Sequence, residues 1–348
     1  LTNNDTSAYY SDGRIIKYNA EGAIEWAKAI GGNKNEAITS VAETNDGGII
    51  TGGYFSSKIV ELDNGIILTS AGSDDHFGMV IKYNSSGEIE WAKALKNLSG
   101  RINIRSVVEV EDKGIIVGGY FFDESIDLGN GVILNSDGNQ TTGMIIKYNS
   151  NGEYEWAKSI GGIISHDYIR KVTKCKDGGI LALGYFMSEN VELEKGVYAK
   201  EKNVIIKYNA DGKVEWFKEM DWGYYDEITT LETTNDGGYV IGGSFQSAQI
   251  DYGNGVYLNK KKSPNYDTDG FIAKYNNEKK CEWAKGIEGS KYEEITSAVG
   301  TNDGGIIAVG YSQSSVINLE EFTLTNKGQK NGIIIKCNRV GDYEWVKD

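Results

Sequence analysis

One short phrase recurs six times along the chain, and this repetition constrains the fold more than any other feature. The first copy is GAIEWAKAI, which begins at Gly22. Each copy carries one tryptophan: Trp26, Trp91, Trp156, Trp216, Trp283 and Trp345. These positions are 65, 65, 60, 67 and 62 residues apart. A regular period of this size, filled with strand-forming residues, predicts the blades of a β-propeller.

Each repeat resolves into four runs that are typical of strands. In one copy they are AITSVAET, GIITGGYF, MVIKYN and EIEWAKAL, and the turn NDGG joins the first two. Asp-Gly and Gly-Gly supply the positive φ that tight hairpins need. The second and third runs are apolar on both faces, which is expected of a sheet sandwiched between two others. The predicted fold class is all-β, a β-propeller of four-stranded antiparallel blades.

The hairpin IIKYNAEGAIEW can be given a register. Its Asn-x-x-Gly turn predicts that Tyr18 lies opposite Ile24, Lys17 opposite Glu25 and Ile16 opposite Trp26. The lysine and the glutamate recur in all six copies. We interpret them as a cross-strand ion pair that fixes the register, and the tryptophan as an apolar wedge between neighbouring blades. The repeated phrase is therefore scaffold.

The count of hairpins predicts how the domain is organised. The second hairpin of the repeat occurs six times and the first only five times, so Leu1 falls inside a repeat. We expect a single propeller domain over 1–348, with six blades of which the first is incomplete, within a longer polypeptide. Five blades with an added hairpin is the alternative. The expected boundaries are a partial blade at 1–35 and complete repeats at 36–100, 101–166, 167–225, 226–292 and 293–348.

Charge and cysteine usage exclude several classes of protein. The chain has 36 basic and 50 acidic residues, a net charge of −14. An acidic surface argues against nucleic acid or an anionic membrane as the main partner. No apolar run approaches the length of a membrane span, so membrane insertion is not expected. The three cysteines have no spacing typical of zinc or disulfide frameworks, and we expect them to be packed as small apolar side chains.

The runs IGGNKNEAITSVAETNDGGIITGGYF and DHFGMVIKYNSSGEIEWAKAL carry a family resemblance. They resemble the β-propeller repeats of secreted bacterial proteins, and the resemblance covers essentially the whole chain. It implies a non-catalytic propeller at the cell surface or outside the cell, with a role in adhesion or other binding. Ile102 departs from the pattern, because an acidic residue is expected there.

An acidic residue begins the first strand in four of the five complete repeats. These residues are Glu36, Asp167, Asp226 and Glu293. If they meet around a central channel, they form an anionic rim able to hold a cation or sugar hydroxyls. The alternative is that each is a loop carboxylate beside backbone N–H groups.

The link DWGYYDE differs from the corresponding links of the other repeats. It supplies Trp222, Tyr224 and Tyr225, and Tyr292 holds a related place in the next repeat. Aromatic rings beside carboxylates are typical of sugar-binding sites, where the rings stack on apolar sugar faces and the carboxylates accept hydrogen bonds from hydroxyls. The alternative is ordinary packing over a blade junction.

Neither a cofactor nor catalytic residues are predicted. NYDTDG has the first half of a calcium-loop spacing, but Asn276 stands at the twelfth position, so calcium is only an alternative. The histidines are His76 and His166, and no nucleophile motif occurs. We expect an extracellular module that binds carbohydrate or a surface glycoprotein. The alternatives are a structural or protein-interaction domain of a large surface protein and, third, a glycoside hydrolase that uses the four acidic residues.

Overall fold

A computed structural model describes residues 10–70, 76–96, 101–122, 124–129, 131–136, 140–162, 165–260, 267–326 and 328–348. Within these ranges the chain is all-β, with one short 3-10 turn at Asp63–Gly65 as its helical element. The predicted fold class is confirmed at this level. We number the repeats 1 to 6 by the boundaries expected from the sequence.

The strands of the first three repeats follow one another in chain order. Repeat 1 has β1 (Gly13–Tyr18) and β2 (Ile24–Ile30). Repeat 2 has β3 (Glu36–Glu43), β4 (Ile49–Phe55), β5 (Ile59–Glu61), β6 (Ile67–Thr69), β7 (Phe77–Tyr83) and β8 (Ile89–Leu95). Repeat 3 has β9 (Arg101–Glu109), β10 (Ile115–Phe122), β11 (Ser125–Asp127), β12 (Ile133–Asn135), β13 (Thr141–Tyr148) and β14 (Tyr154–Ile160).

The last three repeats have the same series of elements. Repeat 4 has β15 (Asp167–Lys174), β16 (Ile180–Phe186), β17 (Val191–Glu194), β18 (Val197–Ala199), β19 (Asn203–Tyr208) and β20 (Val214–Met220). Repeat 5 has β21 (Glu227–Thr233), β22 (Tyr239–Phe245), β23 (Gln249–Gly253), β24 (Val256–Asn259), β25 (Asp269–Tyr275) and β26 (Cys281–Ile287). Repeat 6 has β27 (Glu293–Gly300), β28 (Ile306–Ser312), β29 (Val316–Leu319), β30 (Phe322–Thr325), β31 (Asn331–Cys337) and β32 (Tyr343–Lys347).

Repeats 2 to 6 each form a four-stranded antiparallel sheet in which strands adjacent in the repeat are adjacent in the sheet. In repeat 2 the order is β3-β4-β7-β8, and the small hairpin β5-β6 forms a two-stranded sheet of its own. Repeat 1 contributes the two-stranded sheet β1-β2. Repeated sheets of this kind are consistent with a β-propeller, and the number of blades stays a prediction.

The chain divides into two compact units. The first comprises the described residues up to Ile180, together with Gly184–Lys200 and Lys207–Glu215. The second comprises Leu181–Leu183, Glu201–Ile206 and Trp216–Asp348. Repeat 4 therefore contributes residues to both units. The expected single domain and its repeat boundaries stay predictions.

Within each unit, the first strand of one sheet lies on the second strand of the preceding sheet. A Cβ added to Gly52 of β4 would lie 2.5 Å from Cγ2 of Ile104 and 2.7 Å from Cγ1 of Val107, both in β9. In the second unit, a Cβ on Gly242 would lie 2.6 Å from Cγ2 of Ile295. The glycines of the second strand thus allow the close approach that buries these side chains.

The predicted register of the second hairpin is wrong by one residue. Tyr18 lies opposite Ile24 as predicted, but Lys17 pairs with Trp26 and Ile16 with Ala27. Glu25 is the extra residue of a β-bulge between these pairs, and the same shift recurs in the other repeats whose pairing is described, as between Lys82 and Tyr83. A bulge adds a residue to one strand only, so counting from the turn places every later pair one residue out.

The predicted lysine–glutamate ion pair is present across the bulge, and in the complete repeats it has a third member. In repeat 5, Nζ of Lys274 lies 2.8 Å from Oε2 of Glu282 and 2.6 Å from Oδ2 of Asp236. Asp236 comes from the turn between the first two strands of the same repeat. The same arrangement occurs around Lys82, Lys147, Lys207 and Lys336. We call this set the Asp–Lys–Glu triad, and it links both hairpins of one sheet.

The repeated tryptophan contacts the next repeat, as predicted. Nε1 of Trp91 donates to the carbonyl oxygen of Ser150 at 3.0 Å, in the last turn of repeat 3. A Cβ on Gly152 of that turn would lie 2.7 Å from the indole ring. Trp26, Trp156 and Trp283 make the same pair of contacts with the turn of the repeat that follows. The tryptophan is therefore a staple between successive sheets.

Candidate functional site

The four acidic residues that begin the repeats are buried. Asp226 is 0 % exposed, and its two oxygens accept hydrogen bonds from the backbone N–H groups of Gly223, Gln246 and Ser247 at 2.7–3.0 Å. The Ser247 hydroxyl also donates to it, at 2.5 Å. Gly223 lies in the link after β20, and Ser247 follows β22. The carboxylate thus joins the link before its strand to the end of the second strand.

Asp167 makes the same connections in repeat 4. Its Oδ2 accepts from the Gly162 N–H at 2.8 Å, and its Oδ1 accepts from the Met187 and Ser188 N–H groups at 2.9 and 3.1 Å. An aspartate therefore uses both oxygens on backbone amides. Because the surrounding amides replace water, such a carboxylate can be buried without a cation beside it.

The two glutamates each accept hydrogen bonds with one oxygen, from groups at or just after the end of the second strand. Oε1 of Glu36 accepts from the Ser57 N–H at 3.1 Å, and Oε1 of Glu293 accepts from the Ser312 hydroxyl and the Ser314 N–H. Oε2 of each glutamate is buried with no hydrogen-bond partner in the described part of the chain. Burial raises the pKa of Glu36, and the hydrogen bonds from Ser57 oppose this shift.

A serine partner of these carboxylates was not recognised in the sequence. Each acidic repeat has a serine two residues after the last residue of its second strand: Ser57, Ser188, Ser247 and Ser314. Repeat 3, which has the buried Ile102 in place of the acid, has Asp123 at the aligned position, 21 residues after Ile102 as Ser57 is after Glu36. The acid and the serine are present together or absent together, and this joint pattern is the signal that the sequence offered.

The four carboxylates are thus placed inside their own repeats, facing backbone amides, which is the alternative considered for them. Their role in ligand binding stays a prediction. The structure gives the two aspartates a positioning function, because Asp167 and Asp226 each hold the link that enters their repeat.

The link that Asp226 holds is the aromatic loop, residues 221–226. Trp222 is half-buried, its Nε1 donates to the Asp251 carbonyl at 3.1 Å, and its ring meets Tyr252 and Phe271 edge to face at 5.2 and 5.4 Å. Trp222 therefore packs over repeat 5, as the packing alternative expected, and forms the base of the loop.

Tyr224 and Tyr225 point away from that base. Their side chains are 65 % and 63 % exposed, and their rings meet at 87° with centroids 5.1 Å apart. Nζ of Lys202 lies 4.3 Å from the centre of the Tyr224 ring and donates to the Tyr224 carbonyl. The two rings are adjacent, differently inclined and exposed, with the Lys202 ammonium over one face of the Tyr224 ring.

Carboxylates surround this loop. The pKa of Glu201 is raised by partial burial and by the charges of Asp221 and Glu219. The Glu201 N–H donates to Oε1 of Glu219 at 3.1 Å, and Asp221 is exposed. The loop therefore combines two exposed rings with acceptor oxygens of Glu201, Glu219 and Asp221, which are not among the acidic residues proposed from the sequence.

Tyr292 occupies the corresponding link of repeat 6 and is 44 % exposed. Its carbonyl oxygen accepts from the Gln313 N–H at 2.9 Å, so its backbone is fixed. Tyr168 is half-buried and packs edge to face against Tyr120 at 4.6 Å. Of these two tyrosines, Tyr292 is the one that presents its ring to solvent.

No cation site emerges from the described residues, where no group of three or more His, Cys, Asp or Glu side chains is arranged to hold a metal ion. Residues 265 and 266 of the calcium-like NYDTDG run lie outside the described residues. Cys281 and Cys337 are buried thiols outside any disulfide, as expected, and Cys175 is half-buried. The described part of the chain also has no helix of the length and apolarity that a bilayer span requires.

No family model matches the chain. It is 22 % identical over 233 residues to an uncharacterized WD repeat-containing protein, L264, of Acanthamoeba polyphaga mimivirus. That match covers 56 % of this chain and 16 % of the viral protein.

Similar solved structures include a protein of unknown function from Dyadobacter fermentans, with a TM-score of 0.45 and 10 % identity over 95 % of each chain. The Neurospora crassa Pan2 WD40 domain has a TM-score of 0.40 and 12 % identity, over 87 % of this chain and 83 % of that one. A mutant NanB sialidase from Streptococcus pneumoniae has a TM-score of 0.49 and 8 % identity, over 89 % and 60 %. Scores below 0.5 carry no argument about ligand or activity.

Proposed function

We propose that the chain is a non-catalytic binding module that contacts carbohydrate through the aromatic loop. The observation that carries this proposal is the pair of exposed tyrosines, Tyr224 and Tyr225, on a loop anchored by the buried Asp226. We further propose that the module acts at the cell surface or outside the cell, as a propeller within a larger protein.

The chemistry of the loop suits a sugar. A pyranose has an apolar face of C–H groups, which stacks on an aromatic ring, and a rim of hydroxyls, which donate to carboxylates. The Tyr224 and Tyr225 rings supply the first kind of contact, and Asp221, Glu201 and Glu219 supply the second.

The loop is also ordered before a ligand arrives. The backbone N–H of Trp222 donates to the Met220 carbonyl at 2.9 Å, and the backbone N–H of Asp226 donates to the Gly223 carbonyl at 3.0 Å. With Asp226 and Trp222 both held by repeat 5, little conformational entropy is lost when a ligand orders the rings, and this favours affinity.

A glycan microarray probed with the whole chain tests the proposal. We expect binding to a subset of glycans, and the double variant Tyr224→Ala/Tyr225→Ala should lose about tenfold or more in affinity, since each stacking ring contributes about 1 kcal/mol. Tyr198→Ala/Tyr257→Ala is the matched control, because these tyrosines are also exposed, each 49 %, but lie on the small hairpins. Trp222→Phe should keep the base of the loop and weaken binding only slightly.

An array on which the wild-type chain binds no glycan would contradict the proposal. Equal signals from the wild type and from the Tyr224→Ala/Tyr225→Ala variant would contradict the assignment of the site.

A second candidate function, protein interaction, is favoured by the small hairpins. In four of them an apolar residue faces an acidic residue across the hairpin and stays about half exposed: Ile67, Ile133, Tyr198 and Tyr257. A repeated exposed apolar residue is a common feature of protein-binding surfaces. Immobilised cell-surface glycoproteins stripped of their glycans are the probe, and replacing the four residues by serine should abolish retention if this function holds.

Catalysis by the four acidic residues is not part of the proposal. A glycosidase needs two carboxyl groups about 5–10 Å apart with different roles, both facing the substrate. Each of the four side chains is 1 % exposed or less and is bonded to its own repeat.

A further inference from the structure

Basic charge is concentrated on the first strands of repeats 3 and 4. The first strands of repeats 2, 5 and 6 (β3, β21 and β27) carry two glutamates each and no basic residue. In contrast, β9 (RINIRSVVE) has two arginines and one glutamate, and β15 (DYIRKVTK) has three basic residues and one aspartate. Both basic strands belong to the first compact unit. They form a local positive region in a chain whose net charge is −14.

An arginine occupies the β-bulge of the first strand in repeat 3. Arg105 is the extra residue where the pairing of β9 with β10 shifts. In repeats 2, 5 and 6 the extra residue is a threonine whose hydroxyl donates to a carbonyl of the second strand: Thr39, Thr229 and Thr296. Repeat 4 has Arg170 at the aligned position, three residues after its acidic residue as in repeat 2. Bulges re-aim side chains, and two successive repeats use this position for a guanidinium.

Both arginines stack on a tyrosine of the second strand of their own repeat. Cζ of Arg105 lies 5.3 Å from the centre of the Tyr120 ring, and Cζ of Arg170 lies 3.7 Å from the centre of the Tyr185 ring. Nη2 of Arg105 also donates to the Tyr120 hydroxyl at 3.2 Å. A ring under its face orients the guanidinium and leaves the N–H groups at its edge for other partners. Less side-chain entropy is then lost when a ligand binds.

Tyr168 lies between the two arginine–tyrosine pairs. Its ring meets the Tyr120 ring edge to face at 4.6 Å, and its centroid is 6.2 Å from that of the Tyr185 ring. The aligned residues of the other complete repeats are not aromatic: Ala37, Asn103, Glu227 and Glu294. Tyr168 therefore joins the two pairs into one group of side chains.

The charges of both arginines act on the Tyr168 hydroxyl. Burial raises the pKa of this hydroxyl and the neighbouring Tyr120 adds to the rise, whereas the hydrogen bond with Thr141 and the charges of Arg105 and Arg170 oppose it. The hydroxyl therefore stays protonated at neutral pH. Because charge interactions weaken with distance, the two guanidinium groups belong to one site. We call its five residues the Arg–Tyr cluster: Arg105, Tyr120, Tyr168, Arg170 and Tyr185.

Arg105 is exposed and has no carboxylate within ion-pair distance among the described residues. This is not for want of acidic residues, which outnumber basic ones by 50 to 36. Two guanidinium groups in one site repel each other, and an anion that contacts them offsets this cost. The planar fork of an arginine matches the two oxygens of a carboxylate or a phosphate.

We propose that the Arg–Tyr cluster binds the oxyanion group of a small ligand, a carboxylate or a phosphate. Arg105 makes the forked contact, and Arg170 supplies the second positive charge. A small ligand fits better than a polyanion, because the net charge of −14 repels an extended series of anionic groups. The Tyr120 and Tyr185 rings each carry a guanidinium, so the ligand is held by its anion, whereas the aromatic loop would hold a sugar by stacking.

Three ligands with the same pyranose ring test the proposal: glucuronate, glucose 1-phosphate and neutral glucose. Ligand-observed saturation-transfer NMR with the whole chain, at pH 7 and constant low ionic strength, gives the Kd of each. We expect at least one of the two anions to bind about tenfold or more tightly than glucose, the effect of hydrogen bonds to a charged group. The anion that binds more tightly identifies the oxyanion as carboxylate or phosphate.

Variants locate the binding. Arg105→Gln should remove the preference for the anion, and Arg105→Lys should retain only part of it, because lysine keeps the charge and loses the fork. Both should keep the wild-type Tm, since Arg105 is exposed. Arg14→Gln is the matched control, because Arg14 is an exposed arginine of β1, and it should keep the full preference. Tyr224→Ala/Tyr225→Ala should also keep it, which separates this site from the aromatic loop.

Two results would overturn the proposal. One is a wild-type chain that binds glucuronate and glucose 1-phosphate no more tightly than glucose. The other is an Arg105→Gln variant that has the wild-type Tm and the full wild-type preference for the anion.

Discussion

At the scale of single residues, buried aspartates organise the entry to repeats 4 and 5. Asp226 accepts three backbone N–H groups and one hydroxyl, and so fixes both the aromatic loop and the end of β22. The sequence identified the acidic position through its recurrence. It could not show that the side chain points inward, because an acidic residue before a strand is equally compatible with a solvated loop.

Replacing Asp226 by asparagine should lower the free energy of unfolding by about 2–4 kcal/mol, because an NH₂ group then faces N–H donors in a buried site. Asp221→Asn, in the same loop but exposed, should change it by less than about 0.5 kcal/mol. Urea unfolding followed by tryptophan fluorescence measures both. Equal effects of the two variants would show that Asp226 does not anchor the loop.

Asp269 should make stability depend on pH in the opposite sense to most carboxylates. Burial raises its pKa to about 6, with Glu288 and Glu293 adding to the shift and the Gly289 N–H and Lys260 opposing it. Between about pH 4 and 6 the folded state then holds a proton that the unfolded state has lost. Stability from this group therefore falls as the pH rises through this range, by up to about 3 kcal/mol for two pKa units.

Asp269→Asn removes that dependence. Urea unfolding at both pH values gives the free energy of unfolding of the variant minus that of wild type. This difference should be more favourable to the variant at pH 7 than at pH 4. Asp221→Asn serves as the control that should show no such change. A stability difference between wild type and Asp269→Asn that is the same at both pH values would contradict the assignment.

At the scale of elements, the second hairpin carries contacts along and between sheets. The sequence revealed its strands, its glycine turn, the lysine–glutamate pair and the wedge role of tryptophan. The β-bulge at Glu25 was not predictable, because the bulge and a regular ladder differ only in where one residue faces. The aspartate of the triad was missed for a different reason, since Asp46 and Lys82 lie on different hairpins of the repeat and meet only when the sheet forms.

The tryptophan staple predicts that two similar glycines tolerate alanine differently. Gly152 has φ +76° and would place a Cβ 2.7 Å from the Trp91 ring, whereas Gly178 has φ +81° and has no atom within 4 Å. Gly178→Ala should cost only the left-handed conformation, about 1–2 kcal/mol. Gly152→Ala should cost about 1–3 kcal/mol more, because the ring must move. Thermal unfolding of both variants makes the comparison, and equal losses would count against the staple.

At the scale of the whole molecule, the period of the tryptophans was enough to predict an all-β chain of repeated four-stranded antiparallel sheets. The regular pairing follows from short-range features, since most hairpin turns carry a glycine at positive φ, and Lys279 takes that conformation in the second hairpin of repeat 5. The binding site could be predicted only in part. The DWGYYDE link could be identified because its sequence differs from the other links. The separate roles of its aromatic residues could not, because they depend on neighbours from other strands, such as Tyr252 and Phe271 beside Trp222.

Hydrogen–deuterium exchange resolved along the chain tests this account of the fold most directly. We predict slow exchange in the inner strands of the complete repeats, such as β7, β13 and β25, which have a partner on each side. Exchange in β1 should be markedly faster, because one of its edges has no described partner strand. Exchange in β1 as slow as in β7, or inner strands that exchange as fast as the turns between them, would contradict it.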